Sequence, residues 1–162
     1  MTSELQIQLL GGFLIENGDA PIEGMDSPRL QSLLAYLLLH RDTPQSRQHL
    51  AFMFWPDSTE AQARTNLRKQ IYHLRHGLPD ADHHLYADSN NVRWQADSPL
   101  WLDVARFEAC LTKASEAEAR EDQRAEREAL AQAASLYKGD LLPGSYEDWV
   151  LGERERLSER FT

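Results

Sequence analysis

Four cations, Arg64, Arg68, Lys69 and Arg75, fall between Ala61 and His76 with no acidic residue among them, in a chain whose formal net charge is -9. Wound at 3.6 residues per turn, residues 57–79 put Ala63, Leu67, Ile71, Leu74 and Leu78 on one stripe. Arg64, Thr65, Arg68, Lys69, Tyr72 and Arg75 then cover the other side. A guanidinium can fork onto the O6 and N7 of guanine, while ammonium and hydroxyl groups hold phosphates. The spacing therefore predicts a helix that buries one face and offers the other to duplex DNA. Arg64, Arg68 and Lys69 lie in the N-terminal half, the end of a recognition helix that reaches the bases. A solvated helix face is the competing reading of each arginine, and Tyr72 could equally pack on the domain surface.

Other residues that could do chemistry lead less far. Gly11-Gly12 lacks the companions of either phosphate-binding loop and reads as a turn. His73 with His76, and the pair His83-His84, have no cysteine or carboxylate partner at a metal-ligating spacing. The single Cys110 sits at an apolar helical position and reads as a buried thiol, with no internal disulfide possible. No serine, cysteine or paired-carboxylate constellation stands out. The sequence gives no sign of an enzyme, a metal site or a cofactor.

Acidity constrains the DNA reading. Residues 1–97 hold 8 Lys+Arg against 12 Asp+Glu, and residues 98–162 hold 9 against 14, so neither part is basic. A protein living on nonspecific phosphate attraction should be basic throughout. Here positive charge must be focused on one surface, which leaves more of the binding to specific contacts or to a second subunit. One copy alone is expected to bind DNA weakly.

The elements that must hold this face can be read in order. Residues 4–10, 13–16 and 21–23 are rich in strand formers, with Gly11-Gly12 and Asn17-Gly18-Asp19 as turns. Ser27 caps and Pro28 begins a helix carrying Leu30, Leu33, Leu34, Leu37 and Leu38, the central buried helix. After Thr43-Pro44, Ser46 caps a short helix to about Phe54, whose Leu50, Met53 and Phe54 face the first. Asp57 with Glu60 resembles a capping box and opens the long basic helix close behind. A short helix, a tight connection and a long helix form a helix-turn-helix. Residues around Asp88-Ser89-Asn90-Asn91 read as a hairpin in the place of a wing, with Arg93 as its cation, and with Trp94 packed inward beside Tyr86 and Val92. From Pro99 the composition turns helical. Asp103 caps a helix bearing Val104, Phe107 and Leu111. Residues 118–137 follow with Leu130, Ala133, Leu136 and Tyr137 as the apolar edge. A third helix from about Tyr146 turns Trp149, Val150, Leu157 and Phe161 inward. The mixed charges of residues 116–128 read as a solvated face.

Four segments together resemble a known family: 33–57 (LLAYLLLHRDTPQSRQHLAFMFWPD), 63–79 (ARTNLRKQIYHLRHGLP), 102–111 (LDVARFEACL) and 136–157 (LYKGDLLPGSYEDWVLGERERL). In this order they resemble SARP-type bacterial transcriptional activators, an OmpR-like winged helix-turn-helix followed by a bacterial transcriptional activator domain. The resemblance implies an α+β fold. Residues 1–97 would form the winged helix-turn-helix with its N-terminal β-sheet, and residues 98–162 the first helices of an all-α, TPR-like activator domain. It implies that Arg64, Thr65, Arg68, Lys69, Tyr72 and Arg75 form the recognition face and that Arg93 is the wing contact. It also implies double-stranded DNA with direct repeats as the target, a homodimer on DNA, RNA polymerase as a further partner, and a cytoplasmic place. Activator domains of such proteins run on for more helices, so the chain is expected to be part of a longer regulator or a short form completed by another chain. The competing function is a helical-repeat interaction module whose winged helix does not touch DNA. No run of apolar residues is long enough for a membrane span.

Overall fold

In the computed structural model, which describes residues 4–18 and 20–161, the α+β reading holds: strands lead, helices and a small hairpin sheet follow, and the chain closes on three helices. Asp19, part of one of the expected turns, lies outside the described residues. The elements fall into two compact units that do not follow chain order: Asn17–Pro99 make one, and Leu5–Glu16 group with Leu100–Thr162 in the other. Late in the chain the units part between Pro99 and Leu100, while Leu5–Glu16 join the later part. The reason is a pairing far apart in sequence, described below, that no local pattern announces.

The first unit holds β3 (Ala20–Pro21), α1 (Pro28–Leu39), β4 (Gln45–Ser46), α2 (Arg47–Phe54), α3 (Glu60–Gly77), α4 (Ala81–His84), β5 (Leu85–Ala87) and β6 (Asn91–Trp94). Helix α1 starts as its sequence demands, with Ser27 Oγ accepting from Leu30 N and Pro28 at the first position. Nearly its whole circumference is buried, Leu33, Leu34 and Leu38 completely, which makes it the centre of this unit. Ser46 Oγ likewise caps α2 by accepting from His49 N. Leu50 and Phe54 are buried, Met53 is half-buried, and Phe52 points outward. Short α4 answers no helical signal in the sequence, and it begins at Asp80, whose φ of 52° lies in the left-handed region.

The second unit is built on β1 (Leu5–Gln8), β2 (Leu14–Asn17), β7 (Leu100–Leu102), α5 (Asp103–Ala119), α6 (Gln123–Leu136) and α7 (Asp148–Phe161). Strand β7 pairs in parallel with β1, Leu5 opposite Leu100 and Ile7 opposite Leu102. Asp103, expected as a helix cap, is instead the first residue of α5, whose N-cap position is Leu102 with no side-chain cap bond, and its carboxylate serves another purpose. Its Oδ1 accepts from Val104 N, while its two oxygens also take the N–H groups of Leu9 and Leu10 just past β1. Burial pushes this carboxyl up from its ordinary value, against the pull of those three backbone donors. Beside it, Leu142 N donates to Leu9 O and Gly11 N to Asp140 O. Gly11 has a φ of 86°, which favours glycine, and a side chain on Gly139 would press on its Cα at 3.0 Å.

The helical residues differ from expectation in detail. The run 118–137 is two pieces, because α5 continues to Ala119 and α6 begins only after Glu121 takes a φ of 60° and Asp122 caps Ala125 N. Ala133 is buried as expected, but Leu130 is 40 % exposed and Ala129 takes its place on the buried edge of α6. Tyr146 is exposed and α7 starts two residues later. Phe107, Tyr137 and Phe161 meet as a cluster of rings 5.1 to 5.4 Å apart, and Val150 and Leu157 are buried. Cys110 is buried, its Sγ 3.7 Å from Gln132 Oε1.

Candidate nucleic-acid interface

Helix α3 forms because its apolar residues recur every three or four positions, and all of them go inside. Ala63, Leu67, Ile71, Leu74 and the following Leu78 are each at most 4 % exposed. Its start lies two residues later than the Asp57 expectation: Thr59 is the cap, with Oγ1 accepting from Gln62 N at 3.1 Å. Thr and Asp are both good N-caps, and Thr59 leaves Glu60 in the first turn, where a negative charge suits the helix dipole.

The opposite face carries the residues of α3 singled out for DNA, and the structure sorts them by what their polar ends already hold. Arg64 is exposed but its guanidinium pairs with Glu60 at 2.6 Å. Thr65 is half-buried, and its hydroxyl donates back to Ala61 O. Tyr72, 56 % exposed, lays its ring on His76 with centroids 3.9 Å apart. Arg75 donates to Ala87 O at 3.1 Å. Arg68 and Lys69 are exposed, and no hydrogen bond or ion pair holds either among the described residues. On this face they are the cations whose charged ends hold nothing else.

The hairpin stands beside this face. β6 pairs antiparallel with β5 on one side and with β4, the residues leading into α2, on the other. Its turn is closed by Asp88, whose Oδ1 accepts from Asn90 N and Asn91 N; these bonds hold the carboxyl below its usual range. Arg93 is exposed, while Val92 and Trp94 on either side of it are buried, as alternation along a strand requires. Tyr86, expected to share their burial, is 48 % exposed. The place is taken by His84, whose ring lies flat on Trp94 and whose Nδ1 bonds Ser98 Oγ. Its burial lowers the imidazole pKa. The indole N–H of Trp94 is buried with no partner among the described residues.

Arg47 was not among the expected site residues. It is the first residue of α2, its Nε donates to Asp88 O at 2.6 Å, and its backbone N–H donates to Asn90 O. Burial lowers its pKa, as do the charges of Arg75 and Arg68, with Asp88 acting in the opposite direction. Three guanidinium groups from α2 and α3 thus crowd one another near the wing. A groove lined by Arg47, Arg64, Arg68 and Asn90, with Glu60 as its one acidic residue, opens there. Mutual repulsion among cations at an open groove is relieved by an anion, and a phosphate backbone supplies anions at regular spacing. The signal available in the sequence was Ser46-Arg47 itself, a cation directly after a helix cap.

Comparison with known proteins bears on both parts of the chain. Residues 102–162 match the family described as bacterial transcriptional activator domain. Among solved structures the fold is similar to Mycobacterium tuberculosis EmbR, determined in complex with a low affinity phosphopeptide, at a TM-score of 0.82 and 20% sequence identity over 98% of this chain. The chain spans 43% of the length of that one. No curated protein matches. The structural likeness speaks for the fold, a winged helix followed by a helical segment. The family match is confined to residues 102–162. Among the described residues no helix is long and apolar enough to cross a membrane.

Proposed function

We propose that this chain is the DNA-binding end of a bacterial transcriptional regulator, and that it reads duplex DNA with the outer face of α3 in the major groove. The observation that carries this is the pair of unengaged cations, Arg68 and Lys69, on the exposed side of a helix whose other side is wholly buried. Arg68 is suited to fork onto a guanine and Lys69 to hold a phosphate. Arg64, Thr65, Tyr72 and Arg75 extend the face, and Arg93 reaches the neighbouring minor groove from the wing. Arg47, at the N-terminus of α2, adds a phosphate contact. Direct repeats, each taken by one copy of a side-by-side homodimer, would supply the affinity that a chain of net charge -9 lacks singly. Residues 98–162 then serve as the activating part, meeting RNA polymerase and helping the dimer form. A cytoplasmic place goes with this role.

Duplexes enriched from a random pool should contain two copies of one short motif in the same orientation, about one helical turn apart. Binding to a labelled copy should weaken on Arg68→Ala and Lys69→Ala. An unenriched pool, with no salt-dependent binding to any duplex, would overturn the proposal and leave a protein-interaction module as the reading.

A further inference from the structure

We infer that Arg47 and Arg75 are positioning residues that clamp the β5–β6 hairpin to the helix-turn-helix, setting where Arg93 stands relative to the cations of α3. The inference rests on the DNA reading above for its purpose but not for its geometry. The two guanidinium groups come from different helices and seize consecutive carbonyls at the same end of β5. Arg75, from the last turn of α3, takes Ala87 O at 3.1 Å, and Arg47, opening α2, takes Asp88 O at 2.6 Å. The backbone N–H of Arg47 adds a third hold, on Asn90 O at 2.9 Å.

A restraint of this kind is needed because the hairpin is slight. β5 has 3 residues, β6 has 4, and the flanking β4 only 2. A hairpin of that size is at best marginally stable on its own in water. His84, Trp94 and Ser98 anchor its base. Its tip is tied by the two arginines.

The chemistry of the acceptors also matters. Asp88, the carboxylate nearest the clamp, is engaged with the amides of Asn90 and Asn91, and its backbone oxygen, not its side chain, receives Arg47. A carbonyl fixes a guanidinium in place without neutralising it. Both arginines therefore hold the wing and keep their charge for the surface, which an Arg–Asp pair at the same spot would cancel. The placement also brings Arg75 near Arg47, whose pKa is lowered by burial first and by Arg75 next. It changes the role of Arg75, which belongs to the outer face of α3 yet acts through the wing.

Two readouts test the clamp, and the first needs no DNA. Amide hydrogen exchange at Asn90, Asn91 and Arg93 should speed up about tenfold in Arg75→Met and in Arg47→Met, while amides in the middle of α3 stay as they were. Arg75→Lys, which retains a donor of similar reach, should restore slow exchange where Met, with the stem alone, does not. The second readout is a double-mutant cycle on duplex binding. Arg93→Ala should cost several-fold in the parent chain and less than about twofold in the Arg75→Met background, because the wing is already misplaced. Unchanged hairpin exchange in both Met variants would overturn the clamp, as would Arg75 and Arg93 losses that simply add. If the parent chain binds no duplex, the DNA reading falls while the exchange experiment still judges the clamp.

Discussion

The outer face of α3 and helix α7 draw on the same charged residue types, yet their arginines end in different circumstances. On α7 all three arginines are consumed by the fold. Arg154 gives its guanidinium to the carbonyls of Leu141, Leu142 and Ser145, and Arg156 joins Glu153 and Glu108. Arg160 also reaches Glu108. These pairings raise Arg156 well above its ordinary value, its bonds to Glu153 first and Glu108 second. On α3, Arg68 and Lys69 have no such partner among the described residues, and Arg47 is depressed by burial and by neighbouring cations. A surface whose charges are satisfied internally has little to offer a polyanion. One whose charges repel each other gains when the polyanion arrives.

Breaking one side of this contrast should affect stability and breaking the other should affect binding. The largest effect is expected from Arg154→Ala, which strips three carbonyls of a charged donor and should lower stability by about 2–4 kcal/mol in urea unfolding. Duplex binding by the protein that remains folded should be unchanged. Arg68→Ala should do the reverse, weakening duplex binding by about 1–3 kcal/mol while leaving the unfolding midpoint where it was.

A smaller effect separates the units by pH. The folded pKa of His84 is lowered, so the folded state holds fewer protons there than the unfolded chain. Its contribution is present above the ordinary histidine value of about 6.5 and is lost as pH falls below it. Asp103 has the opposite sign. Its folded pKa is raised, so its contribution is fullest below the ordinary aspartate value and declines as pH rises from there through the folded one. Acidification from pH 7 to 5 should therefore loosen the hairpin base first. Exchange at Trp94 should quicken in that range, and a non-titrating His84→Gln variant should lose the dependence.

The smallest effect should come from Glu60→Gln. The Glu60–Arg64 pair is well exposed, with side chains 66% and 63% accessible, so it contributes at most about 1 kcal/mol to stability. Releasing Arg64 and removing a negative charge from the face should tighten duplex binding roughly twofold to fivefold. Weaker binding on that change would mean that Glu60 orients Arg64 for its target.

Local patterns carried most of what the sequence could reveal. The stripe of α3, the caps at Ser27 and Ser46 and the turn at Asp88 are all set by neighbours within four residues, and each stands as read. The cap at Thr59 was missed because Asp57 and Glu60 happen to fit a capping-box spacing as well. Tyr86 was misjudged because its burial depends on a competitor, His84, whose helix gives no periodic signal. The grouping of β1 with β7 and Asp103 depends on contacts about 95 residues apart in sequence, for example the 94 between Leu9 and Asp103. The candidate face was legible as a list of residues but not as a division of labour. Whether an arginine is free, paired or holding a carbonyl depends on the residues folded against it, and that is how Arg75 came to resemble Arg68 and Arg47 escaped notice.

The central claim is that the unengaged cations of α3 meet DNA phosphates and bases, and the salt dependence of duplex binding tests it most directly. With a duplex carrying the selected repeat, log K should fall linearly with log salt concentration. Lys69→Ala should make that slope shallower by about 0.9, the signature of one lost phosphate contact. A slope unchanged by Lys69→Ala, together with an affinity unchanged by Arg68→Ala, would contradict the account.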